Sequence, residues 1–429
     1  MELVILLCLL AIFLAMGVPV AFSLGASSLA TFLLLDIPSI VAFQRMASGM
    51  NIFTLMAIPF FVFAGVIMDA GGISRRIVQF ASALIGWVVG SLYQVSCVAA
   101  AGLAAISGSG SADTAAISAI MQPQLRRKGY DVDYGAALIA CAGSIAQVIP
   151  PSLTMVILAV VSNVSIGALF ISGILPGAMC ILMLMVISYF KARSGGDVYR
   201  DSEPFTLPRL GRTAWAALPA AGMPFLILGG ILGGVFTPTE AAAVSGFYGL
   251  LVGAFVYRDL KLSALPGLIL KTASLSAAVM LIIGTASVFS WLIANANVPQ
   301  ILGEWIKSVS SSQVVFLIIA NLLFLFVGMF LETIAAILIM VPVLAPIAVT
   351  MGVDPLHFSL LVILNCAIGT VTPPYGVSLF VASSVAGRSV MQVSRRLAWP
   401  LAGLFSMLIA VTFIPELTLF LPRMFGLID

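Results

Sequence analysis

The sequence predicts an all-α polytopic membrane protein with inverted-topology repeats, each carrying a re-entrant helical hairpin and a proline-broken helix. Three observations lead there. Of 429 residues, 62% are hydrophobic and only 8% charged, whereas a soluble domain carries roughly 25% charged residues. Too few charges remain to solvate a surface of that size. Apolar stretches recur along the whole chain at the length that crosses hydrocarbon, about 20 residues. Two polar interruptions, "SGSGSAD" at 107–113 and "GMFLET" at 328–333, are each followed by a double proline inside the next apolar run. The short alternating segments of a β-barrel are absent.

The elements follow in chain order. Residues 3–35 are too long for one straight crossing and contain Gly17, Pro19 and Gly25. They form either one kinked helix or two short ones. The segment lacks the basic n-region of a signal peptide and reads as retained. Full crossings are expected at 52–70, 134–158, 166–190, 213–233, 239–257, 268–294, 357–386 and 397–421.

Basic residues mark the cytoplasmic ends of spans. Here they are Arg75-Arg76, Arg126-Arg127-Lys128, the run from Lys191 to Arg212, Arg258 with Lys261, and Arg395-Arg396. With Arg75 inside, the chain must return inside by Arg126, yet the arm 112–125 is short for a crossing. Residues 82–125 are therefore expected to form a re-entrant hairpin, and 314–349 a second one that starts and ends outside. The other clusters then alternate consistently. Arg45 and Arg423 fall on the outer side, against the bias. The loop 191–212 is the one sizeable polar segment and reads as a cytoplasmic linker.

The hairpins resemble each other. "SADTAAISAIMQPQL" aligns with "FLETIAAILIMVPVL", pairing Asp113 with Glu332 and Pro123 with Pro342; "GSIAQVIPPS" aligns with "CAIGTVTPPY". Five crossings lie between the hairpins in this reading, so they face opposite ways, a recurring design of secondary transporters. The expected division is 1–81 as N-terminal scaffold, 82–165 as the first transport repeat, 166–300 as further scaffold, 301–396 as the second repeat and 397–429 as a C-terminal helix.

The chemistry sits at the interruptions. Pro150-Pro151 and Pro373-Pro374 each remove backbone donors and break their helices. Unwound backbone at membrane depth is tolerated only in a protein interior or a polar cavity, where freed carbonyls ligand a hard cation. The tip Ser107-Gly108-Ser109-Gly110-Ser111 adds hydroxyls and close backbone approach. The N-terminus of the returning arm attracts an anion. One Na⁺ site per repeat is expected, drawn from Ser107, Gly108, Ser109, Gly143, Gln147, Gly328, Glu332, Gly369, Thr370 and Thr372. An organic anion would lie between them, near Ser109, Ser111, Asp113, Thr333, Pro150 and Pro373. The blander account of these small residues is close helix packing. Thr237 with Glu240 reads as an N-cap followed by an early acid.

Other classes fit less well. Cys8, Cys97, Cys141, Cys180 and Cys366 lie in apolar stretches without a CxxC, and the one histidine, His357, opens a span as an interfacial residue. No multi-histidine metal site is possible, and the serine-rich tip has no second imidazole to serve it as a base. No GxxxxGK[ST] occurs, in keeping with ion coupling. A net charge of +3, spread over span edges, gives no sign of nucleic-acid binding.

"SGSGSADTAAI", "GSIAQVIPPS", "PGA" at 176–178, "TPTEAAAV" and "GTVTPPYGVSLFV" together resemble the large membrane subunit of TRAP (tripartite ATP-independent periplasmic) transporters, over nearly the whole chain. The resemblance implies a bacterial inner-membrane subunit that works with a small four-helix membrane subunit and a soluble periplasmic binding protein. It implies Na⁺-driven uptake of organic acids such as sialic acid or C4-dicarboxylates, by elevator-like movement of both hairpins against a fixed scaffold. The competing expectation is a self-sufficient divalent-anion/Na⁺ symporter or arsenite-type carrier with related hairpins.

Overall fold

The computed structural model describes residues 2–200, 204–309 and 312–428. Residues 201–203 of the expected linker lie outside them. The chain is helical, and no strand occurs among the described residues.

The N-terminal stretch is two helices, α1 (Glu2–Ala15) and α2 (Val20–Leu34), separated at Gly17 and Pro19. Pro38 then opens α3 (Ser39–Met50), and a 3₁₀ turn leads into α4 (Ala57–Ala70). A sharp Gly71-Gly72 turn starts α5 (Ile73–Ile85). This short helix is two-faced: Ile73, Ile77 and Ala81 are buried at a four-residue spacing, whereas Arg75 stays exposed. That spacing puts them on one stripe of a 3.6-residue period.

The first repeat follows. The hairpin is α6 (Ser91–Ser107) and α7 (Gly110–Arg127). It begins at Ser91, not at 82, because residues 82–85 complete α5. The broken helix is α8 (Val132–Ser144), a 3₁₀ turn at Ile145–Gln147, the Pro150-Pro151 break and α9 (Leu153–Ser162). Asp131 caps α8 by accepting from the amides of Asp133 and Tyr134 at 3.1 Å each.

Long helices come next: α10 (Ile166–Arg193), α11 (Leu207–Leu232), α12 (Pro238–Leu251, extended by a π turn) and α13 (Leu265–Asn295). Thr237 and Glu240 form the expected cap as a reciprocal capping box, which satisfies two helix-start donors. Then α14 (Val298–Val309) precedes the second hairpin, α15 (Gln313–Phe330) and α16 (Thr333–Thr350). The second broken helix is α17 (Pro355–Gly369) and α18 (Val377–Ala386), with the short α19 (Val390–Ser394) after it. The C-terminal crossing is kinked: α20 (Ala398–Phe413) and α21 (Glu416–Met424) meet at 63° across Pro415, where the ring removes a helical hydrogen bond.

Among the described residues, seven helices are long and apolar enough to cross a membrane. The expected cytoplasmic clusters gather at one end of the molecule. Arg76 pairs with Asp259 at 2.6 Å, Arg209 bonds Ser82 at 3.2 Å, and Gly90 donates to the Tyr199 carbonyl at 2.8 Å. Tyr199 also packs on Tyr93 and Tyr130, so part of the linker is seated under the first hairpin. At the other end, one cavity gathers Ile52, Asn163, Ile231, Phe236 and Leu427, all from the outer ends of expected crossings or the loops beyond them.

The two repeats interlock. Helix α18 of the second packs on α7 and α8 of the first, and α9 of the first packs on α16 of the second. Helices α2, α3, α4, α11, α12 and α13 form a second set packed on one another, which meets the repeats where α13 lies on α16 and α4 on α6. His357 is buried and bonds Thr418 at 2.8 Å, so it is a packed core group and not an interfacial one.

Candidate transport site

The hairpin register differs from the sequence alignment. Helices α7 and α16 start at Gly110 and Thr333 and end at Arg127 and Thr350; the next helices start at Val132 and Pro355. In that register Pro123 pairs with Pro346, one turn beyond Pro342, and Ser109 pairs with Glu332 as the N-cap residue. Asp113 has no acidic counterpart. A shift of four residues is about one turn, so both alignments preserve the buried face, and a hydrophobic pattern cannot tell them apart.

The first tip meets its break directly. Gly108 sits in the left-handed region at φ 58°, and a Cβ there would lie 2.6 Å from both the Pro151 carbonyl and the Ser152 Cα. Only glycine allows that approach. Ser152 Oγ donates to the Gly108 carbonyl at 3.4 Å and exchanges a 2.7 Å bond with Thr154. Ser107 Oγ donates to Asp113 Oδ1 and accepts from the Ser109 amide at 3.2 Å. On the far side, a Cβ at Gly110 would meet the Gln147 amide nitrogen at 2.6 Å, and one at Gly143 would strike Thr114 Oγ1 at 2.2 Å. The scaffold joins in: a Cβ on Gly65 of α4 would lie 4.0 Å from the Ser107 Cα.

Asp113 and Gln147 are buried, and Asp113 Oδ2 and Gln147 Oε1 have no hydrogen-bond partner. Buried acceptors without partners are costly.

The second site is built differently. Gly328 and Gly369 touch backbone to backbone: a Cβ at Gly369 would lie 2.7 Å from the Gly328 carbonyl carbon. The Gly376 amide donates to the Met329 carbonyl at 3.2 Å, and the Ser378 amide to the Thr370 carbonyl at 2.9 Å. Thr370 and Thr372 are buried, their hydroxyls donating to Ala367 and Ile368 carbonyls at 2.8 and 2.7 Å. Thr333 Oγ1 is buried and unpartnered.

The remaining expected residues separate by environment. Ser109 and Ser111 are half-buried at the first tip, and Pro150 is buried. Glu332 and Pro373 are exposed. Glu332 is thus not enclosed beside Gly328 as Asp113 is beside Ser107, because it stands at the N-cap position outside the first turn of α16, where its side chain makes no capping hydrogen bond. The structure brings Ser107, Gly108, Asp113, Gly143 and Gln147 together in one cluster and Gly328, Gly369, Thr370 and Thr372 in another. Helix α17, which leads into the second break, packs on the 3₁₀ turn that leads into the first.

Sequence reasoning missed Thr114, Ser152 and Thr154. For Ser152 and Thr154 the signal was present, since both follow the double proline closely. It also missed the chain Thr412–Asn321–Asn365, linked by 2.8 Å bonds, in which Asn365 Oδ1 is left unpaired. Among the described residues no group of His, Cys, Asp and Glu is arranged to hold a metal.

The fold is that of polytopic helical transporters. It superposes on the Alcanivorax borkumensis YdaH transporter with a TM-score of 0.62 at 14% identity, over 95% of this chain and 97% of that one. The family is narrower: the model of the tripartite ATP-independent periplasmic transporter DctM component matches residues 7–417, and the chain belongs to that family. It is 39% identical to the sialic acid TRAP transporter large permease SiaM of Vibrio cholerae serotype O1, over 95% of this chain and 96% of that protein. It is 36% identical to the C4-dicarboxylate TRAP transporter large permease DctM of Rhodobacter capsulatus, over 96% of each. It is a multi-pass protein of the bacterial inner membrane, and these relatives are transporter permeases.

Proposed function

We propose that this chain is the Na⁺-coupled membrane subunit that imports an organic acid delivered by a soluble periplasmic binding protein, in complex with a small membrane subunit. The observation that carries the reading is the pair of buried, unpartnered acceptors, Asp113 Oδ2 and Gln147 Oε1, at the contact of hairpin tip and proline break. Na⁺ there is cargo and coupling ion together, held by Ser107, Asp113, Gln147 and the Gly108 carbonyl. In the second repeat the Thr370 and Thr372 oxygens and the carbonyls beside Gly328 and Gly369 would hold the other. The acid, a carboxylate like those named for the relatives, would sit near Ser109, Ser111 and Thr333, at the N-terminal ends of α7 and α16, where helix dipoles favour an anion.

Coupling is then linkage: Na⁺ orders tips and breaks, so the acid binds the ion-loaded form better. Each charge moved down a 100 mV potential contributes ~2.3 kcal/mol. The interlocked repeats would move as one body against the helix set around α13.

The test is uptake into proteoliposomes that hold the full complex. Imposed Na⁺ gradients should drive accumulation of a labelled acid drawn from a sialic acid and C4-dicarboxylate panel. Asp113→Asn should raise the Na⁺ concentration for half-maximal uptake by about tenfold, a loss of ~1.4 kcal/mol, with assembly unchanged. Uptake indifferent to Na⁺ in both proteins would defeat the reading, and uptake without the soluble partner would favour a self-sufficient carrier.

A further inference from the structure

A cavity of about 490 Å³ lies between the two bodies, and no residue of either tip lines it. One wall is the scaffold, with Arg45 of α3 and Ser290 and Trp291 of α13; the other belongs to the repeats, with Ile157 and Val160 of α9 and Leu338 of α16. It opens at the end of the molecule that the basic-cluster pattern assigns to the exterior. Arg45 stands over the Trp291 ring at 5.5 Å from its centroid, a contact that orients a guanidinium without neutralising it. No carboxylate lines the cavity, and Arg45 forms no ion pair among the described residues. Like Lys307 and Arg423, it falls on the expected outer side against the positive-inside pattern, so topology gives no reason for its charge.

A single uncompensated cation in an apolar-walled cleft focuses field lines and concentrates small anions. We propose that this cavity is the outer vestibule of the transport path and that Arg45 captures the organic anion there before the repeats take it. This rests on the function proposed above. Arg45 is then an access and specificity residue: it favours anions over cations and neutral solutes. Because one wall is mobile in that reading, the vestibule widens or closes with each cycle.

The test reads the cavity without needing cargo or Na⁺. Cys8 is exposed and the other four cysteines are buried, so Cys8→Ser gives a quiet background. In that background Ser290→Cys is introduced into the full complex, in phosphatidylcholine nanodiscs. Alkylation rates are compared for the anionic 2-sulfonatoethyl and the cationic 2-(trimethylammonium)ethyl methanethiosulfonates. The anionic reagent should be favoured, and Arg45→Gln should lower the anion-to-cation rate ratio by about tenfold, while Arg45→Lys keeps most of it. A ratio indifferent to position 45 overturns the proposal. So does a thiol that reacts with both reagents in detergent and with neither in nanodiscs, which would assign the cavity to a phospholipid. In parallel, Arg45→Gln should raise the KM for the transported acid and leave kcat unchanged. Normal charge selectivity in a complex that moves no organic acid would preserve the vestibule and sink the proposed cargo instead.

Discussion

A methyl group added at Gly108 has nowhere to go. It would lie 2.6 Å from the Pro151 carbonyl, on a backbone at φ 58° that L side chains rarely adopt. Gly108→Ala should therefore separate tip from break, at a cost of about 1–3 kcal/mol, and abolish uptake. Gly229→Ala is the control, since nothing lies within 4 Å of its added Cβ; thermal unfolding and uptake of both variants decide the matter. Gly369→Ala tests the second repeat in the same way, because its Cβ would press on the Gly328 backbone at 2.7 Å. Glu332 makes the contrasting prediction. It is exposed, so Glu332→Gln should shift Na⁺ dependence far less than Asp113→Asn; equal shifts would restore it as an ion ligand. The side-chain types at both tips were readable from sequence, because hydroxyls, glycines and an acid are conspicuous in hydrocarbon. Their degree of enclosure was not, because burial depends on which distant element covers the tip.

At the scale of elements, the two repeats are tied where the first hairpin's arm ends. Arg388 pairs with Asp133 at 2.6 Å, Arg396 with Asp131 at 3.3 Å, and Arg126 donates to the Ala386 carbonyl. Both ion pairs are partly exposed, so each contributes about 0–1 kcal/mol; Arg388→Gln should hardly move the unfolding temperature. Their meaning is geometric. Asp133→Cys with Arg388→Cys, bridged by a short bismaleimide, should leave uptake running, because both ends belong to one moving body. Arrest on bridging would show that the repeats shift against each other. The positions of hairpins and breaks were legible from proline and glycine, which act locally. The start of the first hairpin was not, because α5 is also apolar on one face and runs up to it without a proline. The repeat register slipped by one turn for a similar reason: Pro342 and Pro346 lie four residues apart on one face of α16, and periodicity alone cannot choose between them.

For the whole molecule, the basic clusters and the helix count define two faces. Asn163→Cys should react with an impermeant maleimide from outside right-side-out vesicles, and Ser394→Cys only after the membrane is opened. The reverse pattern would invert every side assigned above. Composition and hydropathy by themselves determined that this protein lives in a bilayer and that two polar interruptions repeat. Those follow from the cost of exposing charge or unpaired backbone to lipid, which acts on each segment separately. Only the tertiary structure decided that α18 covers α7, that Asp113 is enclosed while Glu332 is not, and that Arg45 faces a cleft between two bodies. In lipid almost every helix face is apolar, so hydrophobicity no longer marks which face meets a neighbour, and close packing between distant segments makes the choice.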